Sequence, residues 1–316
     1  MPPARTPEAE ALMGPSDYQT MWSGPLTFCR REAGALIPGA DVAVVGVPLD
    51  TNVTNRPGCR FGPRAIRTAS TQLSWSRHWP STFDPFERLA VYDAGDVEFD
   101  HGRPADAPFE IEAALREILA TGATTLMLGG DHFCAYPALR AHSARAGGPL
   151  ALVQFDAHTD TWKDEGRRLD HGTMFFHAAR EGLIDPAASI QVGIRTTNDD
   201  PMGFEVFDAI RVHEEGWRAA ADAIRARVGD RPAYVTFDID CLDPSQAPGT
   251  GTPVVGGLFA HQALAILRAL RGLNVVGMDV VEVAPAYDVS EITALAGATI
   301  ALELLCLYAD GPRAAG

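Results

Sequence analysis

The sequence predicts an α/β fold: a single three-layer α/β/α domain built on a parallel sheet of about eight strands. Three observations predict it. Short apolar, β-branched runs alternate with segments of helical period. Each run is closed by Gly, Asp or Pro, which is how successive βα units are punctuated. No repeat, low-complexity tract or Ser/Gly linker divides the 316 residues, a length that can bury one large core.

In chain order, the first strand is expected at Val42–Val47, followed by a helix over Pro63–Gln72. A strand at Leu89–Tyr92 leads to a helix over Pro108–Ala120, and Thr124–Leu128 leads to Tyr136–Ala146. Leu150–Phe155 precedes a helix over Thr173–Glu181. Ser189–Ile194 and Ala209–Val212 read as two further strands before a helix over Glu215–Val228. Ala233–Phe237 precedes Ala260–Leu270, and Asn274–Met278 precedes a helix over Ser290–Leu307. Within that last helix, Ile292–Tyr308 is the most apolar stretch of the chain, but it is short for a membrane span and Glu303 interrupts it, so it is read as a buried core helix. Residues 1–35 form an N-terminal arm and 36–310 the main domain. Met1 to Gly14 carries Glu8 and Glu10 among prolines, lacks the layout of a secretory signal, and reads as loose.

Composition narrows the function. Lys+Arg is 26 against Asp+Glu 41, and the net charge of −15 repels nucleic acid and anionic lipid while drawing small cations inward. The five cysteines are odd in number, scattered and never spaced as CxxC, which argues against a disulfide framework and a Cys-type zinc site and suits a reducing cytoplasm. Two long segments, Leu49–Gly62 and Cys241–Gly257, have neither period and are read as functional loops. The GTGTP inside the second lacks the GxGxxG or GK[ST] context of a phosphate cradle and reads as part of a turn-rich lid.

Polar residues cluster where apolar strands run out: Gly129-Gly130-Asp131-His132, Phe155-Asp156-Ala157-His158-Thr159-Asp160 and Phe237-Asp238-Ile239-Asp240. In a parallel sheet these ends share one edge, the edge where open α/β folds bind ligands. Extended backbone would point Asp156, His158 and Asp160 one way, and Asp238 with Asp240 likewise. Asp131 and Asp243 read singly as a cap or turn former. The clusters do not, because carboxylates about 4 Å apart repel by roughly 4 kcal/mol per pair at an effective dielectric near 20. No Lys or Arg inside the motifs offsets that, so bound cations are required. Oxygen donors with two imidazoles and no thiolate suit Mn²⁺ better than Zn²⁺ or Mg²⁺. Two such ions about 3.5–4 Å apart would activate a shared water, the chemistry of a metallohydrolase.

GGDH (129–132), FDAHTD (155–160), DHGTMF (170–175), TFDIDCLDPSQAPGTGTPVVGGL (236–258) and GMDVVEVAPAYDVSEITALAG (277–297) resemble the ureohydrolase family of arginases, agmatinases and guanidino-acid hydrolases. The similarity runs from about Val42 to Leu305, with the long C-terminal motifs and HGTMF most like agmatinases. The resemblance implies an arginase-like fold and two Mn²⁺ ions per subunit. One would be held by His132, Asp156, Asp160 and Asp238, the other by Asp156, His158, Asp238 and Asp240, with Asp156 and Asp238 as bridges. It further implies that water activated between the ions attacks a guanidinium carbon, that Asp160 steadies the tetrahedral species, and that urea and an amine leave. His171 would carry a proton to the departing amine, and Glu282 would grip the guanidinium. The other histidines, and Cys241, read as surface or packing residues.

The expected substrate is agmatine, cleaved to putrescine and urea, in a cytoplasmic homo-oligomer (a trimer or hexamer by resemblance) that takes no nucleic acid or membrane as partner. The substrate tail should meet Thr51–Arg60, Trp162–Asp170 and Thr196–Phe204. Thr54-Asn55-Arg56-Pro57-Gly58 has instead the look of a guanidino-acid hydrolase, with Arg56 as a carboxylate partner, so those enzymes are the alternative. A catalytically silent scaffold relative and a zinc deacylase on a related fold are the readings from other classes. The intact ligand set and the paired carboxylates of Asp238-Ile239-Asp240 weigh against them.

Overall fold

A computed structural model describes residues 5–18, 20–74, 77–164 and 168–312. Residues 1–4 and 19 of the expected arm and residues 165–167 of the expected tail-contacting loop therefore lie outside the described residues. Eight strands form one sheet among the described residues: β1 (Val42–Val47), β2 (Val91–Asp96), β3 (Thr124–Gly129), β4 (Ala151–Phe155), β5 (Ile190–Val192), β6 (Glu205–Phe207), β7 (Ala233–Asp238) and β8 (Val275–Val281). Their order is β2-β1-β3-β8-β7-β4-β5-β6, with every neighbouring pair parallel.

The helices are α1 (Pro7–Ala11), α2 (Gly62–Ser70), α3 (Ala107–Ala120), α4 (Ala135–Ala146), α5 (Met174–Arg180), α6 (Ala209–Val228), α7 (Ala260–Ala269) and α8 (Ile292–Ala309). Alternation along each strand feeds two cores. Val42 and Val44 of β1 face one core with α2, α6, α7 and α8, whereas Ala43, Val45 and Val47 face the other with α3, α4 and α5. The three layers follow from strands that are apolar on both faces. By length and composition alone α8 could cross a membrane, with a mean hydropathy of 1.8, but 72% of that window is buried inside the protein. Its Glu303, 2% exposed, is paired with His78 and Arg268, so the helix belongs to the core.

The sixth strand falls at Glu205–Phe207, not at the expected Ala209–Val212. Asp208 decides this: its side chain accepts the backbone N–H of Arg211 and caps α6, so Ala209–Val212 becomes the first turn of that helix. Gly216, at φ 88, then breaks α6, which is why the apolar pattern before it does not read as helix. β2 and β8 run further than their apolar stretches because each carries a buried acid with partners of its own. Asp93 is held by Arg67, and Asp279 by the hydroxyls of Tyr234 and Thr236. The stretch expected to be loose is packed where it is described. Thr6 caps α1, Ala9 and Leu12 are buried, and Arg5 pairs with Asp41 at 2.7 Å.

Candidate metal centre

The four central strands β3, β8, β7 and β4 end at one rim and deliver seven of the eight expected site residues there. His132 follows β3, Glu282 follows β8, Asp238 ends β7 with Asp240 just beyond, and Asp156, His158 and Asp160 follow β4. His171 comes from the loop before α5. Gly130 makes the first turn possible, since a Cβ there would lie 1.7 Å from the Leu49 carbonyl oxygen.

Turns, rather than continued strand alternation, bring the paired residues together. The Asp156 carboxylate accepts the His158 backbone N–H at 2.6 Å, and the Asp238 carboxylate accepts that of Asp240 at 2.8 Å. Asp160 and Glu282 are non-glycine residues in the left-handed region, at φ 51 and 64. Such backbone costs about 1–3 kcal/mol each and persists where surrounding contacts hold it.

Two groups of potential ligand atoms result, each with all atoms within 4.8 Å: His132, Asp156 and Asp238, and Asp156, His158 and Asp240. Asp156 belongs to both. Asp160 stands 2.9 Å from His132 Nδ1, beside the first group. Asp238 is found in the first group alone, although sequence reading expects it to bridge.

Hydrogen bonds fix the tautomer of His132. Thr236 donates its hydroxyl hydrogen to Asp279, so its oxygen accepts from His132 Nε2–H at 2.8 Å. The lone pair then sits on Nδ1, buried without a hydrogen-bond partner among the described residues and 3.0, 2.9 and 3.3 Å from carboxylate oxygens of Asp156, Asp160 and Asp238. Buried lone pairs facing one another at these distances need a cation between them, so the residues fit metal ions.

The electrostatics agree. Burial, then Asp240 and Asp156, pushes Asp238 well above the usual carboxylate range. Burial and Asp156 push Asp160 up to about 7. Burial disfavours charge on the imidazoles, yet the carboxylates prevail: His132 is held well above its ordinary value and His158 is raised to about 12. The cluster thus takes up protons wherever metal is withheld.

A cavity of about 280 Å³ opens over this cluster, lined by His158, Asp160, Asp238, His171, Trp162 and Asp170, with Thr54 and Arg168 among its remaining walls. His171 stands in that wall. Glu282 is fully buried behind it: Glu282 Oε1 meets His171 Nδ1 and accepts the His132 backbone N–H, both at 2.9 Å, while Oε2 has no hydrogen-bond partner among the described residues. Burial opposes charge on His171, and the Glu282 contact outweighs it, raising the imidazole to about 9.

The model of the arginase family matches residues 40–306. The chain belongs to the arginase family. A relative named agmatinase from Chromobacterium violaceum is 56% identical over 293 residues, 92% of this chain and 91% of its own. Among solved structures, a hypothetical agmatinase from Burkholderia thailandensis superposes with a TM-score of 0.93 at 54% identity, covering 97% of this chain and 95% of that one. The proclavaminate amidino hydrolase of Streptomyces clavuligerus superposes with a TM-score of 0.87 at 41% identity, covering 92% and 99%. The arginase family uses a binuclear metal centre, and two groups sharing one aspartate are suited to it.

Several residues that support this arginase-family site escape sequence reasoning. Gln154 Nε2 donates to the Asp156 carboxylate at 2.8 Å and is itself held by Gln191. Thr236 orients His132. A signal existed: each is a polar residue two positions before a ligand candidate on an otherwise apolar strand, hence on the same face. Asp131 is corrected. It is not a side-chain cap; it is fully buried and accepts the Asn52 backbone N–H at 2.9 Å, tying down the loop after β1. Asp243 does form the expected turn, accepting from Ser245, Gly256 and Gly257. His142 is a core residue beside Thr125, its imidazole pKa driven down to about 3 by burial, and Cys241 is buried.

Proposed function

We propose that the protein is a manganese-dependent agmatinase that hydrolyses agmatine to putrescine and urea. One observation carries the reading: two potential ligand groups share Asp156 and open on a single small cavity whose wall also holds His171. A pair of Mn²⁺ ions is the expected occupant: His132, Asp156, Asp160 and Asp238 would hold one, and Asp156, His158 and Asp240 the other, with Asp238 joining the second set on the family resemblance rather than on the grouping seen here. When bound, such a pair lowers the pKa of a water enough to supply a nucleophile near neutral pH.

The chain's own residues do the rest. Asp160 and Asp238 line the cavity, so a guanidinium entering it meets their carboxylate oxygens, and Asp160 steadies the positive charge on the reacting carbon's nitrogens. Glu282 Oε2 remains as a buried acceptor for a guanidinium N–H, while Oε1 aligns His171. His171, in the cavity wall, gives its proton to the departing amine.

The tail assignment rests on charge. Asp170 adds a third carboxylate to the lining, and Arg168, the only Lys or Arg among the described lining residues, is ion-paired with it. Trp162 offers an aromatic face to a cation. Arg56, the residue that would favour a guanidino acid, is not in the cavity wall and lies over the Tyr287 ring, 5.2 Å from its centroid. The relatives named agmatinase support the same choice. We further infer that residues 36–310 are the catalytic domain and 1–35 an N-terminal arm, and that the enzyme works in the cytoplasm as a homo-oligomer, a trimer or hexamer.

A urea-release screen with Mn²⁺ over agmatine, arginine, guanidinobutyrate, guanidinopropionate and guanidinoacetate tests the reading. Agmatine should give the highest kcat/KM; a guanidino acid ahead of it, or no urea from any of them, would overturn it.

A further inference from the structure

We propose that Thr54 is the positioning residue for His171, offering one imidazole nitrogen both a donor and an acceptor so that the ring is satisfied in either protonation state. The proposal rests on reading His171 as the proton donor. His171 Nε2 lies 3.0 Å from the Thr54 backbone N and 2.8 Å from Thr54 Oγ1. Nε2 has one lone pair or one hydrogen, so the two contacts operate alternately. The neutral ring accepts the Thr54 N–H; the charged ring donates Nε2–H to Oγ1. Nδ1 stays engaged with Glu282 throughout.

A proton-carrying histidine that is only 8% exposed needs such a partner, because a polar atom left unpaired in either state would penalise that state. The loop is also built to hold Thr54 still. Asn52 is tied through its backbone N–H to Asp131 and through its side chain to the Leu169 carbonyl, and Asn55 donates to the Gly251 carbonyl. The residues on both sides of Thr54 are thus fastened to three other segments of the chain. The charged groups facing His171 are Glu282 beyond β8, Asp131 beyond β3 and Asp160 beyond β4; Asp170 and Arg168 stand in its own loop. All three facing groups are acids and raise proton affinity, whereas the acceptor at Nε2 among the described residues is the Thr54 hydroxyl.

Thr54→Val keeps the backbone N–H and the side-chain shape but removes the acceptor, and Thr54→Ser restores it. In the Zn²⁺-loaded full-length protein, which lacks paramagnetic broadening, the His171 ¹⁵N titration of Thr54→Val should fall by about one pH unit, roughly tenfold in proton affinity. In the Mn²⁺ enzyme, kcat on the alkaline side should drop by about tenfold with the limb moved to lower pH, while KM and metal content stay as in wild type. Thr54→Ser should match wild type in each readout. A Thr54→Val protein whose titration and alkaline limb superpose on wild type would overturn the proposal, as would a serine variant impaired equally. Absence of urea release by wild type strikes the proposed function instead, and the titration still decides the role of Thr54.

Discussion

The Nδ1 atom of His171 lies 2.9 Å from Oε1 of Glu282, joining the loop before α5 to the end of β8. The same carboxylate oxygen accepts the backbone N–H of His132. One buried acid therefore aligns the proposed proton donor against His132, the first residue of the candidate metal site, and its left-handed backbone, φ 64, is the local cost of that placement.

Replacing Glu282 with glutamine keeps the shape and removes the charge. His171 should lose its elevation from about 9 towards the ordinary histidine range, so the protonated form is depleted as pH rises through neutrality. Metal content should hold, while kcat/KM falls by about 10²–10⁴ and the alkaline limb moves to lower pH. An unaltered kcat/KM would remove the assigned role.

Thr236 does not line the cavity, yet it sets the His132 tautomer. Thr236→Val should weaken Mn²⁺ affinity by about 10–100-fold, with kcat restored at saturating metal. Equilibrium dialysis checks this; unchanged affinity would mean that the hydroxyl is dispensable.

Metal removal should leave a protein whose stability falls as pH rises. Asp160 is raised to about 7, so its burial as an anion opposes folding above that pH and is relieved by protonation between about 7 and 4. His158 is raised to about 12, so its contribution is complete below the unfolded value near 6.5 and fades above it. Both signs agree. The Tm of chelated protein should decline from pH 5 to pH 9 more steeply than that of the Mn²⁺ form. Parallel curves would show that metal does not neutralise these groups.

The sheet, its cores and the ligand candidates were legible because each rests on a local signal: apolar runs of strand length, and acids grouped where those runs end. The sixth strand was not, since Ala209–Val212 carries the same apolar character as Glu205–Phe207 and only the capping geometry of Asp208 separates them. Asp93 and Asp279 extended strands beyond their apolar stretches because their partners lie elsewhere in the chain. For the same reason Glu282 was legible as a site residue but not as the partner of His171, from which 111 positions separate it. Thr54 stood in a segment read for the substrate tail, and no spacing rule connects it to an imidazole 117 positions away.

Anomalous diffraction at the manganese edge, from crystals of wild type and of Asp156→Ala grown with Mn²⁺, tests the central claim most directly. Wild type should give two peaks per subunit with Asp156 between them, and the variant neither. A single peak in wild type, or two full peaks in Asp156→Ala, would contradict a binuclear centre bridged by that residue.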